Sequence, residues 1–436
     1  MNEPKMKDKT NRTLFVVLFT VFLDVVGFGI LIPIIPQLLT DLTSKYYISP
    51  PGMSIAEKTS NGFIILGFLT AVYPIAQFFA TPILGQLSDK YGRKLILGIS
   101  LVGTSISYVI FAIGIMLGNI PLLFASRIFD GITGGNISVA RAALADISTP
   151  QNRAKTFGLF GAAFGIGFVL GPNLGSKLSD SSIVSWFNPT TPFWFAAILA
   201  AINVVSLIFI FEETLKTLGK DIHIKWSQSI RNITKAYFLV DLRSLFMTNF
   251  LFQAGFTFFQ TFFTVFALQK IHIANTNIGD LFSYFGIWIA VGQIAILPRL
   301  LKRYREDQIL KVSIISGSLL IGSIFLCTQW WQLLLIMPFL AVTIGCNFAN
   351  LPALISRVGN KTNQGEILGI SSSIESLAQT APPIISGYLA ATISPEIPML
   401  ISSLTLFVAG CVFCITFKRR TTQEVKEDAR DIAPFI

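Results

Sequence analysis

Five ionisable side chains sit inside long apolar runs of the sequence: Asp24 in "FLDVVGFGILIPIIP", Arg127, Asp130 and Arg141 in the stretch 121–145, and Glu375 in the stretch 367–392. An Asp at the centre of a membrane helix costs roughly 2.5–3.5 kcal/mol on insertion scales, and such groups mark substrate pathways or proton relays. The chemistry open to these residue types is proton loading. Burial raises a carboxylate pKa and a nearby cation lowers it, so an acid that alternates between the two settings takes up and releases a proton. Asp24, Arg127, Asp130 and Glu375 are therefore the candidate coupling set. Arg127, Asp130, Gly134, Ser138 and Arg141 are spaced by three or four and share one helix face. Arg127 and Asp130 can pair at i, i+3. Arg141 lies toward the end of its run, where it either snorkels to the interface or binds an anion.

Weaker polar groups follow the same period. Asn249, Gln253, Thr257, Gln260 and Thr264 form one stripe, Thr343, Asn347 and Asn350 a second, and Ser372, Glu375 and Gln379 a third. Some of these hydrogen-bond between helices, and the others line a wet cavity. With Tyr73, Gln77 and Arg141, and with Tyr284 and Trp288 as apolar walls, they make the candidate cavity lining. Apolar walls with a few placed polar groups suit an amphipathic small molecule.

The elements that must carry these groups are membrane helices. Of 436 residues, 52% are hydrophobic and only 13% are charged, where soluble domains have roughly 25%; mean hydropathy is +0.66. About twelve runs reach the ~20 residues that span a bilayer as a helix, near 14–39, 62–85, 95–117, 121–145, 156–178, 192–211, 245–268, 278–297, 309–327, 333–356, 367–392 and 397–417. No sustained two-residue alternation favours strands. The basic head from Lys5 to Arg12 precedes a run too long for a signal peptide, with no small-residue cleavage site.

The net charge of +10 does not point to nucleic acid, because Lys and Arg fall in the head, in alternate loops and in the tail. That asymmetry places both termini in the cytoplasm of a cell or inner membrane, with an even number of spans. The interval from Glu212 to Arg243 is basic and partly amphipathic, which suits a helix on the inner membrane surface. It divides the chain into a first bundle (1–212), a linker (213–243), a second bundle (244–418) and a tail (419–436). Cys327, Cys346, Cys411 and Cys414 read as free thiols in or at the ends of apolar runs, and His223 and His272 lie outside the spans. No metal-ligand spacing, P-loop or nucleophile–His pairing is present, so no cofactor, no enzyme activity and no direct ATP drive are expected.

The most specific motif is "GQLSDKYGRK", from Gly85 to Lys94. Gly85 permits close packing at a helix end, and Gly92 allows a tight turn. A basic inner loop explains Lys90, Arg93 and Lys94, but not Asp89 and the two glycines in this frame. Here the chain resembles the major facilitator superfamily, whose signature has the form G-x-L-x-D-x-x-G-R-K. The resemblance implies an all-α fold of twelve helices in two pseudo-symmetric six-helix bundles, around a cavity lined by helices 1, 4, 7 and 10. It also implies rocker-switch alternating access. Asp89 would pair with Arg93 and cap helix 11 near 364–366 as a gating latch, an interaction of ~0.3–1 kcal/mol.

Within that superfamily the first helix, "RIFDGITGG…ALADIS" and "PALISRVGNKTNQGEILG" resemble tetracycline-resistance drug–proton antiporters. The glycine-rich "GAAFGIGFVLGPNLGS" permits close helix packing. Its Gly167, Gly171, Pro172 and Gly175 also match an antiporter pattern, with Ser176 in place of a final glycine. The resemblance brings Asp24 of helix 1 opposite Arg127 of helix 4, as the carboxylate and the cation that switches it. The function implied is a monomeric proton-coupled antiporter exporting amphipathic small molecules. Arg141 and Asp130 depart from the drug-exporter pattern and favour an alternative, a proton-coupled importer of an anionic metabolite or siderophore.

Overall fold

The computed structural model describes residues 3–417 apart from 43, 51, 53, 149–152, 216–223 and 359–363. The tail 419–436, His223 and the middle of the linker lie outside the described residues, as do the side chains at 364–366. Every regular element among the described residues is helical.

Helices α1 (Glu3–Thr40), α2 (Ile55–Tyr91) and α3 (Arg93–Met116) make the first three passages. The fourth passage is two helices, α4 (Ile120–Thr133) and α5 (Asn136–Ile147), and α6 (Arg153–Leu178) and α7 (Thr191–Ile210) follow. The short α8 (Gln228–Phe238) lies in the linker. Beyond it come α9 (Val240–Gln269) and α10 (Asn275–Val291), which passes through a π turn at Gly292–Ile296 into α11 (Leu297–Leu301). Next are α12 (Glu306–Phe325) and α13 (Trp330–Val358). The eleventh passage is again split, into α14 (Gln364–Ala378) and α15 (Ala381–Thr392), before α16 (Ile397–Thr416). Ten described helical stretches are long and apolar enough to span a membrane, and with the two split passages they are consistent with the twelve expected.

Sequence periodicity gives 121–145 and 367–392 as single helices, and both are interrupted. Gly134 and Gly135 break the first. A Cβ on Gly134 would lie 2.6 Å from the Tyr73 hydroxyl, and one on Gly135 would lie 2.9 Å from Thr81 Cα, so the two glycines let α2 press against the break. Gln77 donates to the freed Gly134 carbonyl at 3.0 Å and to Tyr73 Oη at 3.2 Å. That satisfies backbone that hydrocarbon would leave unpaired. In the second, Pro382 and Pro383 stand in the first turn of α15, where their missing N–H groups cost nothing but the preceding helix cannot continue. The start of α2 is fixed by a capping box: Ser54 Oγ accepts from the Glu57 N–H and Glu57 Oε2 accepts from the Ser54 N–H.

The outer surface is apolar. Ile198, Ile202, Val205 and Phe209 recur at helical spacing along α7 and are all exposed, as lipid contact requires. The phenylalanines of α9 face inward instead: Phe252, Phe259, Phe262, Phe263 and Phe266 are fully buried. Glycines set a close helix pairing, α1 on α6. A Cβ on Gly167, Gly171 or Gly175 would lie 2.6–2.8 Å from the carbonyl oxygens of Phe22, Val26 and Ile30 respectively, so only small residues admit this approach.

Contacts between the first six passages and the last six concentrate at one end, opposite the Gly85–Lys94 loop. Gly67 and Gly387 bring the backbones of α2 and α15 together, and Gly279 of α10 rests on Pro172, Asn173 and Ser176 of α6. Ser60 Oγ donates to Ala391 O at 3.2 Å, Thr264 Oγ1 to Ile32 O at 3.3 Å, and Ser283 Oγ to Val169 O at 2.8 Å. Asp280 accepts from Asn173 at 2.8 Å and pairs with Lys177 at 3.1 Å. At the other, basic end no atom lies within 4 Å of a Cβ built on Gly85, Gly158, Gly161 or Gly165. The close packing expected at Gly85 is thus absent in this conformation, in which that face of α2 stands open. α8 lies across this end.

Candidate functional site

The break in the fourth passage builds the first part of the site. Because α4 stops at Thr133, Asn136 begins a new helix and reaches α1, where its Nδ2 donates to Asp24 Oδ2 at 2.7 Å. Arg127, on α4 before the break, pairs with Asp130 at 3.1 Å. Its guanidinium also lies 5.0 Å from the Phe111 ring centroid, and its Nη2 donates to Ser107 Oγ at 3.5 Å. The expected Asp24–Arg127 pair is therefore not formed. The physical reason is local: Asp130 is one turn from Arg127 on the same helix and needs no approach by α1. Asp24 is met by a neutral amide instead. In this cluster Arg127 Nε and Asn136 Oδ1 are buried with no hydrogen-bond partner among the described residues. Asp24 also borders a small cleft with Thr104 and Tyr108 of α3 and Ala196 and Ala200 of α7.

Beside this cluster lies a cavity between the two sets of six passages. Phe28, Thr70, Tyr73 and Arg127 line one side, and Thr257, Gln260, Thr261 and Gln379 line the other. Pro36 and Pro383 also border it. It is mostly apolar with a few placed hydrogen-bonding groups, the character of a small-molecule site.

Of the candidate lining residues, Tyr73, Thr257, Gln260 and Gln379 border this cavity. Others are engaged elsewhere. Gln77 holds the break at Gly134, and Arg141 stacks 5.2 Å over Phe160. Trp288 meets Tyr284 edge-on at 6.4 Å. Asn347 is hydrogen-bonded to Ser313 of α12. Asn350 is buried with its Nδ2 unpaired, and Gln253 is buried on α9. Asn249 Nδ2 donates to Glu375 Oε1 at 3.2 Å, and Ser371 Oγ donates to the same oxygen at 3.1 Å. Glu375 thus belongs to a separate polar cluster on α9 and α14, away from Asp24, Arg127 and Asp130.

The basic-end motif forms a network within the first six passages. Gly92 has φ 101°, a backbone that L side chains rarely adopt, and its turn sets Arg93 at the start of α3. Arg93 is nearly buried and pairs with Asp89 at 2.6 Å and with Asp146 of α5 at 3.1 Å, and it donates to Ser88 Oγ at 2.5 Å. Glu213, just past α7, accepts from the backbone N–H groups of Arg93 and Lys94 at 3.0 Å each. It caps α3 as an anion at a helix N-terminus should. Lys94 Nζ donates to Ile208 O at 2.8 Å. Asp89 is half-exposed at the open end.

Sequence reasoning missed Asn136, Asp146 and Glu213. Asn136 follows the Gly-Gly break directly and Asp146 stands in the "ALADIS" segment, so both had a local signal. Glu213 lies 120 residues from Arg93, and nothing local marks it. Arg93→Ala would leave two carboxylates facing each other without their cation. Asp89 is solvent-screened, so we expect a loss of about 2 kcal/mol, measurable as a lower melting temperature in detergent.

The family described as Major Facilitator Superfamily matches residues 17–327 and 245–435. The class C tetracycline resistance protein of Escherichia coli is 31% identical over 387 residues, covering 88% of this chain and 92% of that one. The quinolone resistance protein NorA of Staphylococcus aureus is 26% identical, covering 87% and 90%. Among solved structures, the human organic anion transporter MFSD10 superposes with a TM-score of 0.68 at 20% identity, covering 93% of this chain and 99% of that one.

Proposed function

We propose, from the premise that this chain belongs to the Major Facilitator Superfamily and is a membrane transporter rather than an enzyme, that it exchanges protons for amphipathic small molecules and exports them. The observation that carries this reading is the arrangement at Asp24. A carboxylate inside a span is held by Asn136, next to a buried Arg127–Asp130 pair that borders the cavity.

Asn136 suits a site that gains and loses a proton. Its amide donates to the carboxylate now. When Asp24 is protonated, a half-turn of the amide presents Oδ1, at present unpartnered, to the new O–H. Both protonation states are then hydrogen-bonded without helix motion. Arg127 acts on Asp24 at longer range, through its exchange with Asp130, and Glu375 serves apart from this relay.

Alternating access fits the contact pattern. The basic loops mark the cytoplasmic side by the positive-inside rule, so the conformation described here is open to the cytoplasm and sealed outside. The two six-helix bundles (1–212 and 244–418) would rock about the cavity. Closing the cytoplasmic side would bring Asp89, poised by Arg93, against the start of α14. Gly85, now facing open space, would then be covered. The Gly167–Gly175 ridge keeps α6 rigid on α1 through that motion, with Pro172 at the α10 contact.

The resistance proteins among the relatives nominate the first substrates to try, tetracycline and a quinolone. In reconstituted vesicles with an imposed pH gradient, the compound should accumulate on the acidic side and collapse with an uncoupler. Accumulation on the alkaline side with co-moving protons would overturn export by antiport. One observation favours the alternative, an importer of anionic metabolites: Arg127 borders the cavity and its buried Nε has no acceptor, which leaves a donor for a substrate carboxylate. The same vesicles, offered a dicarboxylate, separate the two.

A further inference from the structure

α8 has two faces with different partners. Its inner face is polar. Ser229 Oγ donates to Phe78 O of α2 at 2.6 Å, and Asn232 Nδ2 donates to Ser373 Oγ of α14 at 3.0 Å. Gln228 Nε2 steadies Asn232 Oδ1 at 2.9 Å, and just before the helix the Lys225 N–H donates to Gln86 Oε1 at 2.8 Å. Ser229 and Asn232 are buried. The helix is thus pinned to both bundles at the end where they part. The separation of α2 and α14 is what alternating access must change, so both pins cannot hold through the cycle.

The outer face carries Ile230 and Tyr237, exposed at 57% and 65%, and Trp226, exposed at 74%, stands in the turn just before the helix. On the flank of the helix are Arg231 and Lys235, and Arg243 follows it, stacked 5.7 Å over Tyr237. Asp241 is the acidic residue nearby. The helix packs beside two membrane passages, so this face lies at the bilayer boundary. Exposed Trp and Tyr with flanking Arg and Lys is the composition that enters the headgroup layer, and clustered basic groups there are drawn to anionic lipid. Charge complementarity therefore selects an anionic leaflet as the occupant.

We propose that α8 is a lipid-anchored strap: Ser229 and Asn232 tie the two bundles together in the cytoplasm-open conformation, while Trp226, Tyr237, Arg231, Lys235 and Arg243 hold anionic phospholipid headgroups. Pins and lipid contacts are satisfied together in this conformation, so anionic lipid favours it; a ligand shifts an equilibrium only by such a difference. The proposal needs membrane insertion and an opening cytoplasmic end, not proton coupling, so failure of the antiport reading leaves it standing.

The test uses the full chain in nanodiscs of phosphatidylcholine alone or with phosphatidylglycerol. Deuterium uptake across 224–240 should slow by about tenfold in the anionic discs, and spin labels at Leu159 and Ile294 should report a larger open fraction. Arg231→Gln with Lys235→Gln and Arg243→Gln should remove both responses with at most a small change in melting temperature, since all three side chains are exposed. Ser229→Ala with Asn232→Ala should keep the slowed exchange but uncouple the label separation from lipid. Equal uptake in both discs, or a lipid response that survives in the triple variant, overturns the lipid contact. A label response that survives loss of the two pins overturns the strap. Protection by a soluble acidic protein without anionic lipid would assign the face to a protein and overturn the proposal as well.

Discussion

Asp24→Asn is expected to lower pH-gradient-driven transport by at least about 100-fold, the scale on which a positioned proton-transfer group acts, while substrate exchange down its own gradient continues. The substitution is isosteric, and an amide oxygen still accepts from Asn136 Nδ2, so the α1–α5 contact at 2.7 Å survives. What it removes is the ability to change charge. The two transport modes then separate. Counterflow needs the cavity and the rocking motion, whereas uphill transport needs a proton carried with each cycle. The wild-type rate should vary with pH, and the variant's counterflow should not. Undiminished uphill transport in the variant would mean that Asp24 only holds α1 against α5, and the coupling would have to pass to Asp130 or Glu375.

Gly171→Val is expected to destabilise the protein by about 3 kcal/mol, the upper part of the usual range for overpacking, and to reduce the folded yield. A Cβ at this position would lie 2.7 Å from Val26 O and 2.8 Å from Gly29 Cα. Both are backbone atoms of α1 and cannot rotate away. Gly29 meets Gly171 with the same tightness from the other side, so α1 and α6 would have to separate along their length. Gly161→Ala on the same helix is the control. Nothing lies within 4 Å of a Cβ there, and the helix propensity of Ala makes the change neutral or mildly stabilising, by up to about 1 kcal/mol. Equal melting temperatures for the two variants would contradict the close α1–α6 contact.

Much of this molecule was legible in its sequence because the membrane imposes a simple rule on helix length and charge. The spans, the charges within them and the glycine ridge of the fifth passage could all be read from spacing. Periodicity gives the polar face of a helix but not the neighbour that face meets. Asn347 lies on a polar stripe and turns to Ser313 rather than to the cavity. Arg127 had two candidate acids, and the nearer one on its own helix took it. The break at Gly134 and Gly135 was visible as a dipeptide, but its consequence depends on the pressure of Tyr73 and Thr81 from α2. Glu213 became part of the basic-end network only because α7 returns to that end beside α3.

The sealed end has a consequence for speed. Two of its meeting points, Gly67 against Gly387 and Gly279 against α6, bring backbones close, while Phe63 meets Phe262 at 6.3 Å and Phe68 meets Tyr388 edge-on at 5.9 Å across the same seam. The Lys177–Asp280 pair there is half open to solvent, and such pairs contribute little, about 0–1 kcal/mol. Side chains that interdigitate must be extracted and repacked each time two surfaces part, and every such step adds to the kinetic barrier. Smooth faces separate with little friction. The sealed end combines both: its glycine contacts can slide apart, while its ring pairs must be pulled out and repacked whenever it opens.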